Sequence, residues 1–208
     1  MVLFMTVYAD NAATTKTSET ALKAMLPYMR EIYGNPSSLH TLGQTAAEAL
    51  FSARKIFADF LGCRPREIIF TSGGSEADNQ AILSAAAIGE KKGKKHIIST
   101  SFEHHAVLHT LEKLKERGFE ITLLDVHCDG LVRTEELEAA IREDTCLVTV
   151  MYANNEIGTI QPISEIGTIC RNRGIIFHTD AVQAAGHVNI DIAAQNIDML
   201  SLSATKFH

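Results

Sequence analysis

The chain has 208 residues, of which 46% are hydrophobic and 21% charged, the make-up of a soluble globular protein of one or two domains. A formal net charge of -6 offers no basic footprint for nucleic acid, and no apolar run approaches the roughly 20 residues a membrane span requires. Cys63, Cys128, Cys146 and Cys170 are scattered without C-x-x-C spacing, which indicates neither a zinc knuckle nor a disulfide framework.

The opening Met1–Met5 is apolar but too short for a secretion signal, so a cytoplasmic location is expected. Two helices are predicted first, around Glu19–Tyr33 and Gln44–Leu61, followed by a strand at Glu67–Phe70. Ser75-Glu76 then offers a hydroxyl cap and a first-turn acid to a helix over Glu76–Gly89. Strands at His96–Thr100, Glu120–Val126, Cys146–Met151, Ile175–His178 and Met199–Ser203 alternate with helices at Ala106–Arg117, Thr134–Ile141 and Ile163–Arg173. Gly118 and Gly174 follow basic residues where two of these helices should stop. The strands are near-continuous apolar runs, as expected when helices cover both faces of a parallel sheet. The expected class is α/β, a doubly wound and mostly parallel sheet. The chain stops five residues past the last strand, at His208, so the domain is expected to be incomplete at its C-terminus.

In such sheets ligands bind beyond the carboxyl ends of the strands, and the residues found there form a set. Thr71-Ser72-Gly73-Gly74-Ser75 leads into a helix whose free N–H groups can hold a phosphate, although a Gly-Gly turn alone is ordinary structure. It is neither a P-loop nor G-x-G-x-x-G, which weakens a nucleotide reading. His104 follows the next strand and can stack on a flat heterocycle. His105 and His109 have a helical metal spacing but lack the Glu of H-E-x-x-H, so metal is the weaker reading. Asn154-Asn155 can be plain loop punctuation. Asp180 follows a strand in apolar sequence; it is a helix cap or the partner of a protonated ring nitrogen. Lys206 after the last strand invites desolvation, which makes an amine a nucleophile towards aldehydes, although such a lysine taken by itself is more often a surface residue. An anion cradle, a stacking imidazole, a buried carboxylate and a lysine at strand ends are together the requirements of pyridoxal 5'-phosphate (PLP).

The chain resembles the cysteine desulfurases of NifS/IscS type, class V aminotransferase-like enzymes of PLP fold type I, over essentially its whole length. The resemblance is carried by Asp10–Thr15, Tyr33–His40, Phe70–Glu76, Glu103-His104, Ala153–Thr159, His178–Gln183 and Ser203–Lys206. It implies that residues 16–208 are the PLP-binding large domain and that residues 1–15 form a segment packing with a small domain. It further implies that Gly74, Ser75, Ser203 and Thr205 bind the phosphate and that His104 stacks on the ring and transfers protons. Asp180 is implied to pair with the ring nitrogen, Asn155 and Gln183 to contact ring substituents, and Lys206 to form the Schiff base. The implied reaction takes L-cysteine to L-alanine, with persulfide sulfur passed to an acceptor or iron–sulfur scaffold protein, in a homodimer. The family usually has His where this chain has Thr205; a hydroxyl can still bond a phosphate oxygen. The family's nucleophilic cysteine and substrate-carboxylate arginine lie beyond the lysine, so this stretch alone is expected to be inactive. Alternatives are a selenocysteine lyase, a class V aminotransferase, or a non-catalytic truncated fragment that dimerises or acts as a scaffold.

Overall fold

The computed structural model describes residues 7–206. The apolar opening Met1–Met5, with Thr6, and the final Phe207-His208 lie outside the described residues.

Two helices come first. In α1 (Glu19–Arg30) the Ser18 side chain accepts from the Ala21 N–H, a hydroxyl N-cap, yet no residue of this helix is buried. In α2 (Thr41–Leu61) the His40 ring caps the start and Gly62, at φ 72°, makes the left-handed stop. The strand predicted at Glu67–Phe70 does not form. A 3-10 turn occupies Pro65–Glu67, closed by Arg64 and Glu67. The stretch beyond it lies against α2 instead of a sheet: Arg54 donates to the Ile68 carbonyl and sits 4.8 Å from the Phe70 ring centre, and Phe57 meets Phe70 edge-on. An apolar, β-branched run has thus been drawn to side-chain partners on a helix, and among the described residues no strand lies beside it.

From there the predicted alternation holds: α3 (Gly74–Lys91), β1 (His96–Thr100), α4 (His105–Glu116), β2 (Glu120–Leu124), α5 (Thr134–Ala140), β3 (Thr145–Thr149), α6 (Ile163–Arg173), β4 (Ile176–Asp180) and β5 (Met199–Ser201). The α3 cap is not the expected one. Gly73 occupies the cap position, and Glu76 reaches back to accept from the Ser72 N–H at 2.6 Å. All pairings are parallel, in the order β2-β1-β3-β4-β5. Period-2 alternation sends Ile97 and Leu147 towards α3 and α4, and Ile98 and Val148 towards α5 and α6. Both faces are therefore covered, and the doubly wound α/β expectation is met. Fully buried Phe177, Ile82, Ile97 and Ile98 each contribute roughly 1.5–3 kcal/mol by leaving water.

The chain moves from β1 outward to β2, then crosses back over β1 to β3. This reversal opens a crevice at the carboxyl ends of β1 and β3, the position where doubly wound sheets receive ligands.

Candidate active site at the strand ends

Each candidate residue lies on this carboxyl edge or on a turn that reaches it. Gly74 opens α3, and a side chain there would sit 2.9 Å from Val182 Cγ2 and 3.8 Å from Ser203 Cβ. The helix start thus abuts the turns after both β4 and β5, and only glycine leaves that approach open. Ser75 is exposed in the first turn, where helix N–H groups lack internal partners. Ser203 Oγ lies 3.0 Å from Thr205 Oγ1, so the two hydroxyls are neighbours, and Ser203 borders the start of α3.

Lys206 ends a short 3-10 turn after β5. Its Nζ donates to the Ala12 carbonyl at 2.6 Å and to the Ala13 carbonyl. Gln183 Nε2 donates to the same Ala12 oxygen at 3.1 Å, which brings Gln183 and Lys206 to one point. Thr15 anchors the segment, its N–H and Oγ1 both donating to the Thr205 carbonyl. Residues 10–15 therefore lie across the lysine.

Asp180 closes β4 and is 4% exposed, with Oδ1 accepting from the Val182 N–H at 2.9 Å. Turns follow it, so it is not the cap of a helix. Burial raises its carboxyl above the ordinary range, partly offset by the Val182 N–H and by the nearby His104. His104 is exposed at the N-cap of α4, where Nδ1 accepts from the Ala106 N–H at 3.1 Å. A ring that accepts at Nδ1 carries its proton on Nε2. Asn155 is exposed in the loop after β3, beside Asn154, whose Oδ1 accepts from the N–H groups of Glu156 and Ile157.

Sequence reasoning gave no part to several buried groups here. Asp78 on α3 is 1% exposed, and its Oδ1 has no hydrogen-bond partner. It lies 3.7 Å from His178 Nε2, but burial lowers the imidazole to about 3, so this is a carboxyl beside a neutral ring and not an ion pair. His178 is held by Thr149 and Ser201 on the flanking strands. Asp78 was detectable: it shares a helical face with Ile82, Ala85, Ala86 and Gly89, an acid at a core position. The carbonyls of Ala12 and Ala13 carry no side-chain signature and could not be found from sequence.

Two hydroxyls and a helix start around an open glycine fit a phosphate. A buried carboxyl raised by desolvation fits a protonated ring nitrogen, which would relieve that cost. Among the described residues no group of three or more His, Cys, Asp or Glu could hold a metal ion, and no helix is long and apolar enough to cross a membrane. The His105 and His109 rings stack on one another with centres 5.6 Å apart.

Such a sheet, with a lysine, a buried acid and a helix start opened by glycine along one edge, is a domain of the PLP-enzyme type. The chain belongs to the class-V aminotransferase family, whose model matches residues 7–208. Within that family it is 56% identical over 201 residues to the cysteine desulfurase IscS of Methanosarcina thermophila, covering 97% of this chain and 50% of that protein. A solved NifS-like protein superimposes with a TM-score of 0.94 at 41% identity, over 98% of this chain and 56% of that one. SspA, solved in complex with cysteine, gives 0.92 at 42% identity, over 97% and 58%. The chain spans about half the length of the curated relatives it matches.

Proposed function

We propose that this chain is the cofactor-holding part of a PLP-dependent cysteine desulfurase, which converts L-cysteine to L-alanine and delivers persulfide sulfur for iron–sulfur cluster assembly. The observation that carries the reading is the convergence of Gly74, Ser203, Thr205, Asp180 and Lys206 on one sheet edge. Similarity to proteins named cysteine desulfurase, and to one solved with cysteine, supports the substrate.

In this reading the N–H groups at Gly74 and Ser75 and the hydroxyls of Ser203 and Thr205 hold the cofactor phosphate. Thr205 takes the place of the family's usual imidazole. Asp180 keeps the ring nitrogen protonated; a cation beside it offsets the burial that otherwise holds its proton on. Bound PLP supplies an electron sink. His104 covers the ring and passes protons through Nε2, while Asn155 and Gln183 contact ring substituents. Lys206 Nζ attaches the cofactor and moves a proton during turnover, once it gives up the Ala12 and Ala13 carbonyls. A homodimer is part of the proposal. The apolar face of α1 supports it: Leu22, Met25, Leu26 and Met29 are all exposed.

A visible-absorption titration with PLP tests the reading. The chain should turn yellow, and Thr205→Val should weaken binding by about 1 kcal/mol, the worth of one hydrogen bond. Asp180→Ala should leave the ring nitrogen unprotonated and change the absorption spectrum. A colourless parent chain, or an Asp180→Ala spectrum equal to the parent's, contradicts it.

A further inference from the structure

The crevice between β1 and β3 is spanned by one buried side chain that none of the roles above uses. Glu103 is 5% exposed. Its Oε1 accepts from Thr100 Oγ1 at 2.5 Å, at the last residue of β1, and from the Met151 N–H at 2.9 Å, just past the end of β3. Its Oε2 is buried without a partner. A second tie runs in parallel, from Asn154 Nδ2 to the Phe102 carbonyl at 3.3 Å. The residue that follows Glu103 is His104, whose backbone has left the strand and not yet entered α4.

Among the described residues the charged groups acting on Glu103 are Asp180 and Asp78, both acids. An acid placed beside two others, on the seam of two strands, is costly for packing alone; an apolar side chain would fill the space more cheaply. What the carboxyl adds is two acceptor bonds that fix the strand ends relative to each other. Glu103 is turned inward while the next residue, His104, is exposed and near enough to Asp180 to act on its carboxyl.

We infer that Glu103 is a positioning residue, a staple across the β1–β3 crevice that fixes His104 above the place of the cofactor ring. This rests on the proposed PLP site, but the staple itself exists in the cofactor-free protein. Both bonds are accepted by the single oxygen Oε1, so an amide oxygen in its place retains them.

The test compares Glu103→Gln, Glu103→Ala and Thr100→Val with the parent by histidine side-chain NMR of the cofactor-free chain, and then by PLP titration. The His104 ring signals and their pH titration should match the parent in Glu103→Gln. They should change in Glu103→Ala, and by less in Thr100→Val, which loses one of the two bonds. PLP affinity should fall roughly tenfold in Glu103→Ala, because a His104 that is no longer fixed must be ordered on binding. Unchanged His104 signals in Glu103→Ala overturn the inference, as does equal damage from Gln and Ala. Should Glu103→Ala fail to fold, Thr100→Val decides by the same signals. A parent that takes up no PLP contradicts the proposed function, while the NMR comparison still tests the staple.

Discussion

Burial raises the Glu103 carboxyl from 4.5 to about 8 and lowers the His178 imidazole from 6.5 to about 3. Desolvation is the leading cause in both, yet their effects on stability run in opposite directions with pH. Unfolded, Glu103 releases its proton near 4.5, while the fold keeps it to about 8; its contribution is complete below 4.5 and is lost as pH rises towards 8. His178 stays neutral in the fold, so its contribution is complete above 6.5 and is lost as pH falls towards 3. Asp78 and Asp180, both raised by burial, act in the same sense as Glu103. Glu103→Gln removes one of these titrations while retaining the staple. Its stability relative to the parent, from denaturant midpoints of the cofactor-free chain, should grow between pH 4.5 and 8, by on the order of a few kcal/mol. A difference that is flat with pH would mean that Glu103 is ionised in the fold.

Packing of α6 on the turn that leads into β5 depends on one residue without a side chain. A Cβ at Gly167 would lie 2.0 Å from the Gln195 carbonyl oxygen, a backbone atom that cannot swing aside. Intrinsic propensity favours alanine over glycine in a helix by about 1 kcal/mol, whereas overpacking costs about 1–3 kcal/mol. The clash should win. Gly167→Ala is expected to lower the denaturant midpoint by a net 1–2 kcal/mol or so at unchanged slope; a gain in stability would mean that the turn moves freely. Elements of this kind were legible in sequence where periodicity and stop signals agreed, as in α6, whose limits match and whose stop is Gly174 at φ 63°. They were misread where an apolar run had another outlet. Ile68–Phe70 has the composition of a strand, but Arg54 and Phe57, about a dozen residues earlier, draw it to α2. The site divides in the same way. Residues with distinctive chemistry at strand ends, such as Asp180, could be picked out in advance. Glu103's two bonds and the Ala12 and Ala13 carbonyls depend on which strand ends and segments meet, and that is a property of the topology.

At the scale of the whole molecule, none of the four cysteines is on the turns after β4 and β5 that follow Asp180 and carry Lys206. Cys146 and Cys170 are buried, and burial pushes the Cys170 thiol up to about 12. Cys63 is half-buried and also raised, by desolvation and then by Glu67. Cys128 is exposed, but it follows the edge strand β2, three strands from β4 and Asp180, or about 14 Å at ordinary strand spacing. A sulfur-accepting thiolate must be exposed and within reach of the substrate. This 208-residue chain with PLP, L-cysteine and a reductant should therefore release neither sulfide nor alanine. Turnover abolished by Lys206→Ala would reveal a nucleophile among these four cysteines. The central claim is that the edge of this sheet holds PLP through Lys206, and borohydride trapping tests it most directly. After reduction with PLP present and peptide mapping, the cofactor should be found on Lys206. Label on Lys94 or Lys95 with none on Lys206 would contradict it.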